Sequence, residues 1–207
     1  MTDTPSRFTA PLQLVLMVAI IVATIVAGFV MMPDSQEERD TLLGRLGTTN
    51  HGTLLQPALP IADLPLRDAE GNPWAWGEHR PKWRMLIPSG SACGSDCREL
   101  LYLSRQVHLL LGKYTGRFER FYLNLDDSLG ADTAQYLEQE HHFVKVMSVD
   151  PAAFETWMAG SNLPRGRGTM PAILVDPAGL AMMFYTADIS GNDMLEDLNH
   201  LLKYSPD

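Results

Sequence analysis

The stretch Trp83-Arg84-Met85-Leu86-Ile87-Pro88-Ser89-Gly90-Ser91-Ala92-Cys93-Gly94-Ser95-Asp96-Cys97 decides the fold. Its first five residues read as a short, mostly apolar strand. Pro88 to Ala92 read as a loop, and the two cysteines of the chain stand where that loop turns into a helix. Leu100, Leu103, Val107, Leu110 and Tyr114 then follow the i, i+3, i+7 rhythm of a helix with one buried face. A helix N-terminus has unsatisfied N–H groups and the positive end of the macrodipole, and both favour a thiolate over a thiol. Cys93 is expected to be the exposed, attacking sulfur. Cys97, one turn along, is placed to bridge to it or to share a soft metal.

Downstream, Phe118 to Leu125 reads as a strand, Ala131 to Glu140 as a helix and Phe143 to Val149 as a strand. Pro151 opens a further helix through Ala159. Ala172 to Val175 and Leu180 to Tyr185 flank the turn Asp176-Pro177-Ala178-Gly179, which makes a hairpin. Asn192 to Tyr204 is a last amphipathic helix carrying Met194, Leu195, Leu198, Leu201 and Leu202. Upstream, Asp68 to Pro73 is a turn cluster between two short extended stretches. Strands alternating with helices and closing in a hairpin plus helix define an α/β layer fold. A dithiol between the first main strand and its helix is the arrangement of the thioredoxin-like fold, a central mixed sheet flanked by helices.

Length and charge bound the rest. The chain has 207 residues and a net charge of −9, room for one globular domain plus an appendage. The acidic balance excludes a nucleic-acid binder, which needs a basic footprint for phosphates. Two cysteines are too few for a disulfide scaffold or a four-thiolate zinc site. Leu12 to Met32 contains no charged residue and spans roughly 31 Å as a helix, a bilayer's hydrocarbon thickness. It is too long for the apolar region of a signal peptide and ends in Phe29-Val30-Met31-Met32-Pro33, a poor cleavage site. The expected organisation is a cytoplasmic tail over 1–11, a transmembrane anchor over 12–32, a tether over 33–60 and a thioredoxin-like domain over 61–207. The flanks carry Arg7 on one side and Arg39 on the other, nearly balanced under the positive-inside rule. The short tail is expected to stay cytoplasmic, with the body exported.

The segments Leu66 to Gly71, Cys93-x-x-x-Cys97, Leu125-Asp126-Asp127 with Ala131-Asp132-Thr133 and Tyr136-Leu137, and Leu174 to Gly179 together resemble the Sco proteins, membrane-anchored thioredoxin-fold factors that help load copper into cytochrome c oxidase. The resemblance runs from about Leu64 to Tyr204, and the whole chain is similar to short anchored Sco-like proteins of proteobacteria. It implies a single-pass inner-membrane protein with its C-terminal domain in the periplasm. Its implied partner is a protein thiol or copper site, such as an oxidase subunit or a copper chaperone. Sco proteins bind copper through both cysteines plus a histidine shortly before the Asp-Pro-x-Gly turn. Here that place holds Arg165-Gly166-Arg167-Gly168-Thr169-Met170-Pro171, without histidine. Met170-Pro171 instead resembles the residue-plus-cis-proline pair that faces the dithiol in thioredoxins, and Arg165 and Arg167 would add a basic spot beside it.

Three readings follow. In the first, Cys93 and Cys97 perform thiol–disulfide exchange, Pro171 presents backbone to the partner, and no cofactor is needed. In the second, Cys93 and Cys97 bind copper, with Met170 as a soft third ligand. In the third, the fold is a non-catalytic oxidase assembly factor. His108 lies three turns past Cys97, too far to share a metal on a straight helix. His141, His142 and His200 read as ordinary helix residues, and His51 and His79 are the two that could fold back to the dithiol. The direction of electron flow, the partner and the oligomeric state are not legible. The anchor reading predicts that the intact protein stays in the membrane fraction through a carbonate wash; a soluble form starting near residue 33 would show a cleaved signal.

Overall fold

The structure, a computed structural model, describes residues 9–31, 50–164 and 170–205. They form two units, each described by itself. The first is a helix, α1 (Thr9–Met31), which begins three residues before the expected anchor. Its described side chains are exposed, and the polar Thr24 donates its hydroxyl to the Ile21 carbonyl at 2.8 Å. The helix is long and apolar enough to cross a membrane, by length and composition.

The second unit is built on six strands: β1 (Thr53–Pro60), β2 (Trp83–Ser89), β3 (Phe118–Asn124), β4 (Val144–Ser148), β5 (Ala172–Val175) and β6 (Leu180–Tyr185). Their order is β1-β6-β5-β2-β3-β4. β2, β3 and β4 run parallel, while β5 is antiparallel to β2 and β6, and β1 antiparallel to β6. The helices are α2 (Ser95–Leu110), α3 (Ala131–Glu140), α4 (Pro151–Met158) and α5 (Gly191–Tyr204). This is the expected mixed sheet flanked by helices.

Period-two alternation sends each strand's side chains to two cores. Met85, Ile87, Tyr122, Leu174, Met183 and Tyr185 pack with Leu100, Leu101 and Val107 of α2 and Leu198 and Leu202 of α5. Leu86, Phe121, Leu123, Ile173, Val175 and Phe184 pack on the opposite face with Phe154, Trp157 and Met158 of α4. Because β2 and β3 are covered on both faces, they read as near-continuous apolar runs rather than alternating ones.

Two expectations change. The tether expected over 33–60 is cut short, because Thr53–Pro60 is an edge strand whose Leu55 and Leu59 are buried; residues 33–49, including the helical turn expected over 41–46, lie outside the described residues. On α2 the buried positions are Leu100, Leu101, Ser104 and Val107, whereas Leu110 is 65% exposed. The buried stripe continues from Val107 to Leu111, which is 3% exposed, four residues on rather than three; the 3-10 stretch Gly112–Arg117 follows, and Tyr114 in it packs against the core. The turn at 68–73 closes a single antiparallel bridge, Arg67 to Pro73. Gly179, at φ +87°, supplies the left-handed residue of the β5–β6 turn.

The start of β1 is fastened to α5 by one carboxylate. Asp197 is buried and accepts from the backbone N–H of His51 (3.0 Å) and Gly52 (2.8 Å) and from the Tyr185 hydroxyl (3.3 Å). Burial and this carboxylate both push the Tyr185 phenol upward, so it remains a donor. Asp197→Ala leaves three donors, two of them buried, without an acceptor and is expected to cost about 2–4 kcal/mol. Asp197→Asn, which keeps one carbonyl oxygen, loses less. Urea unfolding of the two variants beside wild type measures both.

Candidate functional site: the dithiol cleft

α2 begins where β2 ends because Gly94, in extended conformation, is its N-cap and its carbonyl accepts the first intrahelical bond from the Arg98 N–H at 3.0 Å. Cys93 precedes that cap and Cys97 sits in the first turn. The two form a disulfide, with Cα atoms 5.3 Å apart. Both are shielded: Cys93 is 6% and Cys97 9% exposed. The expected exposure of Cys93 is therefore not met in the oxidised state. Its sulfur belongs to the core beneath α2, and it is Cys97 that lines the adjoining cleft.

The loop entering the helix is held by four side chains or backbone groups from β3 and α3. Tyr122 donates its hydroxyl to the Gly90 carbonyl at 2.7 Å, and burial raises its phenol above the usual range, so it stays protonated. The Asp126 carboxylate accepts from the Ser91 N–H. Thr133 works in both directions, accepting from the Cys93 N–H at 3.1 Å and donating to the Ser91 carbonyl at 2.9 Å. The Gly130 N–H donates to that same carbonyl at 3.1 Å, and a Cβ on Gly130 would lie 2.6 Å from its oxygen, so only glycine allows the approach. Arg98 donates its Nε to the Cys93 carbonyl at 3.2 Å and stacks over Tyr136 at 4.4 Å. A cation and a helix N-terminus thus flank Cys93.

Beside the disulfide lies a cleft of about 710 Å³, walled by Cys97, Gly94, Asp96, Asp126, Phe154, Glu155, Met158 and Met170 together with the 88–92 loop. Met170 is therefore at the dithiol's cleft, as its sequence position suggests. Pro171 is buried behind it, and the Met170–Pro171 bond is not cis; the cis X-Pro bond among the described residues is Gln56–Pro57. Trans is the default for an X-Pro bond by about 0.5–1 kcal/mol, and a sequence context alone does not overturn it. Arg165 and Arg167 lie outside the described residues.

Among the described residues no histidine lines the cleft, and no three His, Cys, Asp or Glu side chains converge. His51, expected as able to fold back, instead sits on α5 between Asp193 (3.6 Å) and Glu196 (3.4 Å). His79 stacks on Trp74 with ring centres 3.6 Å apart. His108 shares a hydrogen bond with the Thr115 carbonyl at 3.2 Å. Asp126 and Met158 line the cleft, and Thr133 holds the loop beside it. Asp126 and Thr133 enter the sequence reading only within segments that resemble the Sco proteins, with no role assigned to either, and Met158 reads as one more apolar helix position.

A disulfide-bonded cysteine pair at the strand-to-helix junction of a mixed sheet is the arrangement of a thioredoxin-like domain. Residues 83–205 match the family described as transmembrane-like, thioredoxin-like, C-terminal domain, and the chain belongs to it. Its fold is that of the Sco proteins. It is similar to apo Sco1 of Thermus thermophilus (20% identity, 74% of this chain and 97% of that one, TM-score 0.57). It is also similar to yeast Sco1 with copper bound (13%, 77% and 97%, TM-score 0.55), and to BsSco, described as having a disulfide switch (8%, 72% and 96%, TM-score 0.55). No curated protein sequence matches the chain.

Thr133→Val removes the hydroxyl that serves both Cys93 and Ser91 while keeping the volume. It is expected to cost about 1–3 kcal/mol, the penalty of unpaired buried groups, and to speed alkylation of Cys93 in the reduced protein. Thr133→Ser should restore both. Wild-type labelling and wild-type melting in Thr133→Val would show that the loop is held without it.

Proposed function

We propose that this chain is a membrane-anchored dithiol–disulfide exchange protein, its folded domain on the periplasmic side of the inner membrane, that supports assembly of a copper site in cytochrome c oxidase. The observation that carries the reading is the Cys93–Cys97 disulfide at the edge of an open cleft. The oxidase setting comes from the Sco fold, BsSco being described as a member of a family of cytochrome c oxidase assembly proteins. In the reduced protein Cys93, flanked by Arg98 and the N-terminus of α2, attacks one sulfur of a partner disulfide and expels the other as a thiolate. Cys97 then attacks the Cys93 sulfur, releasing the partner as a dithiol and leaving the Cys93–Cys97 disulfide. Two electrons pass to the partner, and a second dithiol donor returns this chain to its reduced state. Met170 borders the path by which a partner segment reaches the sulfurs, and Pro171, buried next to it, fixes the backbone there.

A second reading is favoured by Met158 and Met170, which share the cleft with Cys97. Two thiolates and a thioether form a soft ligand set suited to Cu(I), which would be cargo held by Cys93, Cys97 and Met170 for delivery. One pair of variants separates the readings. For thiol exchange, Cys97→Ser is expected to trap a mixed disulfide through Cys93, and Met170→Ala to leave Cu(I) affinity nearly unchanged in competition with a strong chelator. Stoichiometric copper retention by wild type that is lost in Met170→Ala would make copper delivery the function.

A further inference from the structure

On the α2 side of the sheet, the core contains a charge with no counterpart. Arg120 of β3 shares its alternation with Phe118 and Tyr122 and so projects toward α2. It is 2% exposed. Its Nη1 reaches the Leu101 carbonyl and the Ser104 hydroxyl, each at 3.4 Å, and its Nε has no hydrogen-bond partner. No carboxylate pairs with it among the described residues. Glu119, its neighbour, accepts instead from Lys82, Arg84 and Lys145, and Glu140 from Arg105. The charge that bears most on Arg120 is Arg105, of the same sign; with burial it brings Arg120 to about 10, still cationic at neutral pH.

His141, the residue that ends α3, is 3% exposed, and neither of its ring nitrogens has a partner. Burial and the Arg120 guanidinium push it down to about 4, so it is neutral and presents one ring N–H. Arg120 and His141 are walls of the same cavity, about 550 Å³ in volume, along with Arg105 and His108. This cavity shares no lining residue with the dithiol cleft.

Buried charges are ordinarily paired, and buried polar atoms ordinarily find protein, water or an ion. Water could satisfy the orphaned nitrogens but would leave the guanidinium uncompensated. We propose that this cavity is a binding site for a small monovalent anion, of the size of chloride or formate, held between the Arg120 guanidinium and the ring N–H of His141. The anion would join β3, α2 and the end of α3 and replace the carboxylate that the sequence does not provide.

The test uses the full chain in detergent micelles at fixed ionic strength. Chloride-35 NMR is expected to show saturable broadening with wild type that formate displaces, and thermal melting to rise with chloride over gluconate. Arg120→Met should abolish both responses. His141→Phe should weaken chloride binding about fivefold, the loss of one hydrogen bond, and it serves alone if Arg120→Met does not fold. Broadening absent from wild type, as for a cavity holding water only, overturns the proposal. So does saturable broadening that survives in folded Arg120→Met, or in His141→Phe at undiminished affinity.

Discussion

The backbone of residues 90–93 must be held in one place, and no regular secondary structure holds it. It leaves β2 as the last strand hydrogen bonds end and reaches α2 before the helical ladder begins. Such a segment carries polar groups that need partners from elsewhere. β3 and α3 supply them: the Tyr122 hydroxyl on Gly90, the Asp126 carboxylate on Ser91, and Thr133 between Ser91 and Cys93. The position of both sulfurs depends on these bonds. A helix fixes Cys97 through its own ladder, but Cys93 stands outside it and is located chiefly by what Thr133 and Arg98 do to its N–H and carbonyl.

That dependence explains which parts of the molecule could be read from the chain. Strands β2, β3 and β5 announce themselves as short apolar runs because both their faces are covered, and helices α3 to α5 by the period that one buried face writes into the sequence. β1 does not. It contains Pro57 and Pro60, residues that sequence patterns assign to a linker, and it is a strand only because β6 offers an edge on which proline is tolerated. At the end of α2 the i+3 and i+4 continuations of the stripe both offer a leucine, Leu110 and Leu111, and only the structure shows that Leu111 is the buried one. The cysteines were legible as a pair. Thr133 and Asp126 stand in segments that resemble the Sco proteins, but their hold on the 90–93 loop is not legible, since contacts between sequence-distant residues leave no local period.

The missing histidine has a structural counterpart rather than a substitute hidden elsewhere. The described histidines lie away from the dithiol cleft: His51 on α5, His79 on Trp74, His108 on the 3-10 turn, His141 in the α2-side core with His142 on the wall of the same cavity, and His200 beside Tyr204. What faces Cys97 across the cleft is thioether, aromatic and carboxylate: Met158, Met170, Phe154, Asp96, Asp126 and Glu155. The cleft thus offers soft sulfur, of the kind that Cu(I) takes, and no imidazole among the described residues.

The acidic rim sharpens this point. Asp96, Asp126 and Glu155 border a cleft that also exposes Met158 and Met170, so a segment approaching the disulfide is favoured when it carries apolar residues with a cation nearby. Arg98 stands behind the sulfurs rather than in the cleft, where it can favour charge on Cys93 without repelling such a segment. The two signs of charge are thus separated across the disulfide: positive on the helix side, where a thiolate would form, and negative on the side from which a partner would arrive.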